Sequence, residues 1–458
     1  MEKTLSPPPA APNEAPADKA TPEGATRDAT ADGHATSDGH ATGDGHATGD
    51  TTGDGKATGD AVSGGYATGD KTTGAVPFFT QAAEFAELWP EIRANCAEVL
   101  DRGKFSHGAM VARLEEALAR WTGAEHVVAV NSGTDALVLL LRAAGLRPGD
   151  EVIVPAYTFI ATASSVVLAG GTPVFADIEE HGYGLDPRSV EAVVTPRSRM
   201  VMPAHLFDRL ADLRGLHEVA GRHGLLVLED SAEAIGMRLH GVHAGLLSTG
   251  GVLSFFPAKT LGAIGDAGAL ITGDDAIAET ARALRHHGRG GRTLDNFPAI
   301  ANATVLPGCN SKMDDLQAAV LLAKLTRLDA AIARRAELSA RYDERLRAVR
   351  GVRAVPGAVP PHPGGNRVCY VHQIEADDRD ALAAHLTAHG IGTEIYYPVP
   401  LHLQPCFAHL GHRPGDFPRA EAACASALAL PLHPGLTDAD VDRVCDRIAA
   451  FYTGRAAR

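Results

Sequence analysis

The 458-residue chain has no basic surplus: 42 Lys and Arg stand against 56 Asp and Glu, a net charge of −14 at pH 7. No stretch concentrates Lys and Arg into the patch that follows a phosphate backbone, so nucleic-acid binding is excluded as a principal role. The six cysteines (Cys96, Cys309, Cys369, Cys406, Cys424, Cys445) never form Cys-x-x-Cys. With no secretion signal, they read as reduced thiols of a cytoplasmic protein. No apolar run of about 7–15 residues follows Glu2 and Lys3, as a signal peptide requires. Runs such as Ala136 to Leu141 are far too short to cross a bilayer, so no membrane partner is expected.

The first 76 residues lack apolar side chains almost entirely. They are almost all Ala, Thr, Gly, Asp, Pro and Ser, with an imperfect Asp-Gly-His-Ala-Thr-Gly repeat between Asp32 and Asp70. Such a segment cannot offset ordering costs of about 1–2 kcal/mol per residue, and is expected to be a disordered, solubilising tail. It holds 12 acids and 5 bases, so half of the net charge of −14 lies there and the remainder is only mildly acidic. The repeat supplies no ordered metal cage and lacks the apolar residue per turn of a calcium-binding β-helix, so no metal is expected.

From Glu125 onward the pattern alternates. Strand-like His126–Val130, Glu151–Val154, Pro173–Ile178, Arg199–Pro203, Leu225–Leu228, Val252–Phe256 and Ala269–Thr272 are separated by helical segments, among them Asp135–Ala144 and Ile160–Leu168. This predicts an α/β fold with a mostly parallel sheet covered on both faces, and ligands at the strand ends. Met313 to Arg350 contains no Gly or Pro and keeps helical apolar spacing, which predicts one long helix leading to a smaller domain. That domain is expected to hold strands at Arg367–Ile374 and Gly392–Tyr397, and helices at Asp380–His389 and Asp438–Phe451, the last capped by Thr437. Glu84–Arg120 reads as mostly helical. The expected division is a tail (1–76), a large domain (77–330) and a small domain (331–458).

Two features carry chemistry. Lys259 lies in Ser254-Phe-Phe-Pro-Ala-Lys-Thr-Leu-Gly262, with Gly265 and Gly268 following, a small-residue loop suited to close approach. Upstream, the apolar run Leu226-Val-Leu-Glu-Asp230 ends in a carboxylate. A lysine able to form a Schiff base and an acid able to hold a pyridine nitrogen protonated are what pyridoxal phosphate needs. Asn131-Ser132-Gly133-Thr134, between a strand and a helix, offers backbone N–H groups at a helix N-terminus, where phosphate binds readily. Ser132 or Thr134 alone would also serve as an ordinary helix cap. Ser254 is placed to add a hydroxyl to the same phosphate.

From about Phe78 to Tyr452 the chain resembles the DegT/DnrJ/StrS sugar aminotransferases, which have the fold-type I pyridoxal-phosphate architecture of a seven-stranded-type large-domain sheet and a smaller α/β domain. Six blocks carry the resemblance: Asn131-Ser-Gly-Thr-Asp-Ala, Pro155-Ala-Tyr-Thr-Phe-Ile-Ala-Thr, Glu229-Asp-Ser-Ala-Glu-Ala, Ser254-Phe-Phe-Pro-Ala-Lys-Thr-Leu-Gly-Ala, Gly308-Cys-Asn-Ser-Lys-Met-Asp-Asp-Leu-Gln-Ala-Ala and Tyr397-Pro-Val-Pro-Leu-His. The resemblance implies Lys259 as the Schiff-base lysine, Asp230 as the pyridinium partner, and Gly133, Thr134 and Ser254 on the phosphate. It implies Phe159 against the cofactor ring, though a plain core Phe fits the same position. Asn310 would reach the cofactor phosphate of a second subunit, in a homodimer with shared sites. Tyr397 and His402 would lie near a sugar pocket, and His205 reads either as a pocket residue or as strand-end packing.

Three positions depart from the family pattern: Glu233 where Gln near the cofactor's phenolic oxygen is common, Lys312 where Arg is usual, and Asp208 where Gly is common. Lys does not replace Arg at a bidentate carboxylate site, which touches any donor-binding role of position 312.

The resemblance implies transfer of an amino group from glutamate or glutamine to a keto-sugar, nucleotide-linked in the first instance (dTDP, UDP or GDP), with a free keto-cyclitol as the alternative. A dehydratase on the same fold would replace the lysine by His, and a non-enzymatic regulator has no use for a complete cofactor set.

Overall fold

The computed structural model describes residues 74–180, 182–289, 304–354 and 364–456. The expected disordered tail lies outside the described residues, except at its end: Val76 is buried, pairs with Ile391, and its carbonyl accepts from Gly392. Ordered structure therefore begins before the boundary at 77 that composition suggests.

Two helices, α1 (Ala82–Arg102) and α2 (Ala109–Thr122), precede an alternating run: β1 (His126–Val130), α3 (Gly133–Ala143), β2 (Glu151–Pro155), α4 (Ile160–Leu168), β3 (Thr172–Ala176), α5 (Pro187–Val193), β4 (Ser198–Val201), α6 (Leu213–His223) and β5 (Leu226–Asp230). A two-residue ribbon, β6 (Arg238–Leu239) and β7 (Val242–His243), leads to β8 (Gly250–Ser254), β9 (Gly268–Thr272) and α7 (Asp275–Leu284). These strands form one seven-stranded sheet in the order β1-β9-β8-β5-β4-β2-β3. Pairing is parallel from β8 through β5, β4, β2 and β3, while β9 runs antiparallel to both of its neighbours. The mostly parallel sheet expected from the alternation is what forms.

Alternation along each strand divides its side chains between two layers. Val128 and Val130 of β1 join Leu137, Leu140 and Leu141 of α3 on one face. Val127 and Ala129 join Leu114 and Leu118 of α2 on the other. In β2, Val152 and Val154 face the α3 side, whereas Ile153 packs with Val190 of α5 and Leu216 of α6. Each such side chain, removed from water, contributes about 1.5–3 kcal/mol. Because the strands are covered on both faces, polar groups that act on a ligand are displaced to the strand ends.

The long helix expected over Met313–Arg350 is two helices, α8 (Asp315–Leu325) and α9 (Leu328–Leu346). The break is closed by tighter i→i+3 bonds: Thr326 N–H and hydroxyl both reach the Ala323 carbonyl, and Arg327 N–H reaches Lys324. Beyond it lie β10 (Val352–Ala354), β11 (His372–Ala376), α10 (Arg379–Ala388), α11 (Pro418–Ser426), β12 (Ala427–Leu430) and α12 (Asp438–Ala456). The second sheet is β10-β11-β12, antiparallel throughout. Gly392–Tyr397, expected as a strand, makes a single isolated bridge, between Glu394 and Ala429. The place beside β11 is taken by the Ala-Leu-Ala-Leu of β12, which the sequence reading did not mark. Thr437 caps α12 as expected, its hydroxyl accepting from Asp440 N–H at 3.1 Å. No described helix is long and apolar enough to cross a membrane, and all six cysteines are free.

Helix α8 also fixes the loop that carries Lys259. Buried Lys324 donates to the Gly262 carbonyl at 2.7 Å and pairs with Glu84 of α1 at 3.2 Å. Lys324→Met keeps the aliphatic stem but strands both partners, and should cost about 2–4 kcal/mol. Urea unfolding of the full chain measures it, and a change below about 0.5 kcal/mol, the level of ordinary surface changes, would show that the buried cation does not hold the loop.

Candidate active site

Asp230 ends β5 in the middle of the sheet, and its side chain is buried. One carboxylate oxygen accepts from the Thr162 hydroxyl at 2.7 Å, on the first turn of α4, and the other from Ala232 N–H at 3.2 Å. Burial is the largest influence on this carboxyl and raises its pKa, against the lowering by Thr162, Ala232 and the nearby Lys259 cation. A buried acid so placed favours a cation brought within hydrogen-bond reach.

Lys259 sits in the turn after β8, its side chain 15% exposed. Its Nζ lies 3.1 Å from Glu233 Oε1 and 4.5 Å from the centroid of the Tyr370 ring. The same Glu233 oxygen accepts from the Tyr397 hydroxyl at 3.4 Å, and the other accepts from Phe207 N–H at 3.0 Å. Glu233 is therefore the ionic partner of Lys259. Burial, then the Glu233 charge, raise the Tyr397 hydroxyl well above the usual phenol range, so it stays a hydrogen-bond donor.

The third corner is the N-terminus of α3. Ser132 caps the helix, its Oγ accepting from Asp135 N–H at 3.0 Å, as the plain capping reading expects. The first-turn N–H groups of Gly133 and Thr134 have no intrahelical partner. The turn is pressed on the ends of β8 and β9: a Cβ on Gly133 would stand 2.9 Å from Ser254 Cβ, and one on Gly268 would stand 2.5 Å from the Ser132 carbonyl. Only glycines permit this approach, which brings the Ser254 hydroxyl beside the free N–H groups. Phe159, N-cap of α4, is 54% exposed with its ring 6.1 Å from Tyr397, so it is not the plain core Phe that its position also allowed.

Two expected pocket residues lie elsewhere. His205 is fully buried; its Nδ1 accepts from Ala211 N–H at 3.1 Å, so its Nε2–H faces Glu229 at 2.9 Å. Both ring nitrogens are occupied, which makes it strand-end packing and leaves nothing for a sugar. His402 is likewise interior, 3.2 Å from Glu421 and edge-on to Phe417. Asn310 is exposed and accepts from the Lys312 ammonium, on a segment bridged to Val130. Asp208 pairs with Arg367 at 2.6 Å, and Arg367 also holds Asp343 of α9 at 2.6 Å.

Residue type and spacing assign no site role to Thr162, Phe207 or Tyr370. Thr162 sits inside a block that resembles the family and faces α4's core side, a signal that was there to use. Tyr370 reaches Lys259 from 111 positions away, with no local pattern to mark it.

These residues suit pyridoxal phosphate: a buried acid for the ring nitrogen, unpaired N–H groups with a hydroxyl for the phosphate, and a partly buried amine between them. The raised Asp230 carboxyl gives a test. The folded chain holds that proton more tightly than the unfolded chain, so stability present at low pH is lost as pH rises from the ordinary carboxylate range through the raised value. At neutral pH, Asp230→Asn should therefore raise the melting temperature of the cofactor-free protein while lowering turnover by orders of magnitude, each factor of ten being about 1.4 kcal/mol of barrier. A lower melting temperature with normal turnover would show the acid to be only a cap.

Residues 87–449 match the model of the DegT/DnrJ/EryC1/StrS aminotransferase family. The chain is 40% identical over 378 residues to a pleiotropic regulatory protein of Geobacillus stearothermophilus, covering 82% of this chain and 98% of that one. It is also 40% identical over 378 residues to the dTDP-3-amino-3,4,6-trideoxy-alpha-D-glucose transaminase of Streptomyces venezuelae, covering 82% and 96%. The crystal structure of S. venezuelae DesV superposes with a TM-score of 0.77 at 38% identity, over 83% of this chain and 99% of that one. The chain belongs to the DegT/DnrJ/EryC1/StrS aminotransferase family and is a pyridoxal-phosphate-dependent sugar aminotransferase.

Proposed function

We propose that the protein moves an amino group from glutamate or glutamine to the ketone of a nucleotide-linked sugar, with Lys259 as the amine that carries both the cofactor and the proton. The observation behind this is the position of Lys259 Nζ, 3.1 Å from Glu233 and within electrostatic reach of buried Asp230. Pyridoxal phosphate, when bound, supplies a ring that accepts electrons from the donor's α-carbon. Asp230 holds the ring nitrogen protonated. Gly133, Thr134 and Ser254 would hold the phosphate with Ser132 fixing the turn, and exposed Phe159 would lie against the ring. Once released from the cofactor by the donor's own amine, Lys259 would take the proton from the donor's α-carbon and hold it as general base and acid. Glu233 holds the ammonium between the two transfers, and Tyr397 closes the substrate side.

A homodimer with shared sites goes with this reading. Phe105, Phe256 and Ile264 are apolar yet 52%, 45% and 55% exposed, and the last two flank Lys259 in sequence. Lys312 and Arg285 stand near exposed Asn310, beside His107 and His286, whose pKa values burial and these cations lower. Asn310 and Lys312 are proposed to meet an anion in the second subunit's site. We likewise propose the division into large (77–330) and small (331–458) domains, which the two sheets support, and a cytoplasmic setting, which six free cysteines support.

The nucleotide link draws on the name of the S. venezuelae transaminase. The equally similar Geobacillus protein is named a pleiotropic regulatory protein, and turnover is the direct check on the sugar acceptor proposed here. Glutamate added to purified protein should convert the cofactor spectrum to that of the pyridoxamine form, and a nucleotide keto-sugar should restore it with a mass shift in the sugar. Lys259→Ala should abolish both with the fold intact. Mixed dimers of Lys259→Ala and Asn310→Ala chains should recover part of the activity that each homodimer lacks. Full activity of Lys259→Ala, or of a monomer, would overturn the respective claim.

A further inference from the structure

Lys259 is held from two sides, and both sides are set by one backbone residue. Phe207 has φ +63°, the left-handed region that bulky L-residues rarely adopt. In that conformation its N–H points to Glu233 Oε2 at 3.0 Å, while its carbonyl accepts from Tyr370 N–H at 2.9 Å. Glu233 and Tyr370 are the groups against which the Lys259 amine rests, at 3.1 Å from the carboxylate and 4.5 Å from the ring centroid. The contacts close a loop: Lys259, Glu233, Phe207, Tyr370 and back to Lys259.

The Tyr370 side of the loop is braced. Buried Arg335 of α9 donates to the Tyr370 carbonyl at 2.9 Å and to the Leu432 carbonyl at 2.6 Å. The rings of Tyr370, Tyr396 and Phe207 lie in nearly parallel planes, 1° between the first two and 3° between the last two, with centroids 6.2 and 6.3 Å apart. The Tyr370 ring cannot tilt without moving this slab. An ammonium within about 6 Å of a ring centroid is attracted by the ring's negative face, more strongly where water is excluded. Glu233 acts through charge; Tyr370 offers a face that has no proton to exchange and no hydrogen bond that must break when the amine leaves.

We infer that Tyr370 is a positioning residue for Lys259, holding its amine against Glu233 whenever it is not engaged elsewhere, and that Phe207 sets the separation of the two walls. This rests on the reading of Lys259 as the reacting amine, but it concerns a different residue and has its own readout.

The test uses the full chain freed of cofactor, with trinitrobenzenesulfonate labelling of Lys259 followed by peptide mass spectrometry. Tyr370→Met, similar in bulk but without a ring, should label Lys259 about tenfold faster, the size of a partly buried cation–ring contact. Tyr370→Phe should stay within about twofold of the natural chain, and Tyr370→Trp, with the strongest ring face, should label more slowly than Tyr370→Phe. In the loaded enzyme, Tyr370→Met should lower kcat of the donor half-reaction while KM for the donor changes little. Should Tyr370→Met fail to fold, the Trp and Phe variants decide: equal labelling rates overturn the inference, as does an unchanged rate in Tyr370→Met. If the cofactor is found on another lysine, the proposed role of Lys259 falls, while the labelling order still reports on Tyr370.

Discussion

The contact on which the rest of the site depends is the one between the Lys259 ammonium and Glu233. A lysine amine kept largely out of water needs a counter-charge, and Glu233 supplies it from a turn that directly follows β5. That pairing decides where neighbours stand. Phe207 is fixed because its N–H completes Glu233, Tyr397 because its hydroxyl shares the same oxygen, and Tyr370 because its ring takes the far side of the amine. Breaking a buried pair by removing one partner typically costs about 3–5 kcal/mol, so the arrangement is stiff as long as both charges persist. At this position, where the resemblance leads one to expect Gln, the chain has an acid, and the lysine is its counter-charge.

The chain is poor in aromatic residues, 5% of the sequence, with only eight tyrosines. Five of the eight form one wall: Tyr157 stacks on Tyr183 at 5.1 Å and meets Tyr397 at 5.7 Å, Tyr396 stacks on Tyr397 at 5.6 Å, and Tyr370 stacks on Tyr396. Concentrating them here gives a dry, rigid surface whose hydroxyls stay protonated, since burial raises Tyr157, Tyr183, Tyr396 and Tyr397 above the ordinary phenol range. Such a wall orients without adding charge. The ionic work is left to Lys259, Glu233 and Asp230.

Much of this was legible in residue order. Strand ends, helix starts and glycine loops are local properties, and α4 begins and ends at Ile160 and Leu168 as spacing predicts. Lys259, Asp230 and the Ser132-Gly133 turn are each marked by their own neighbours. What escaped was set by contacts across the chain. His205 and His402 have the residue type of a pocket, but their partners, Glu229 and Glu421, decide that they are interior. The break between α8 and α9 falls inside an unbroken apolar periodicity, because α8 is buried on most sides, α9 continues the spacing, and the turn at Thr326 needs no Gly or Pro. Tyr370 and Phe207 matter only because the two sheets bring them together.

The central claim is that Lys259 is the amine to which the cofactor is joined. Borohydride reduction of the full-length protein carrying pyridoxal phosphate, followed by proteolysis and mass spectrometry, locates that bond directly. The account predicts the reduced cofactor on the peptide that contains Ser254 to Gly262, at Lys259, and on no other peptide. Label on Lys312, Lys324 or any other lysine, with Lys259 unmodified, would contradict it.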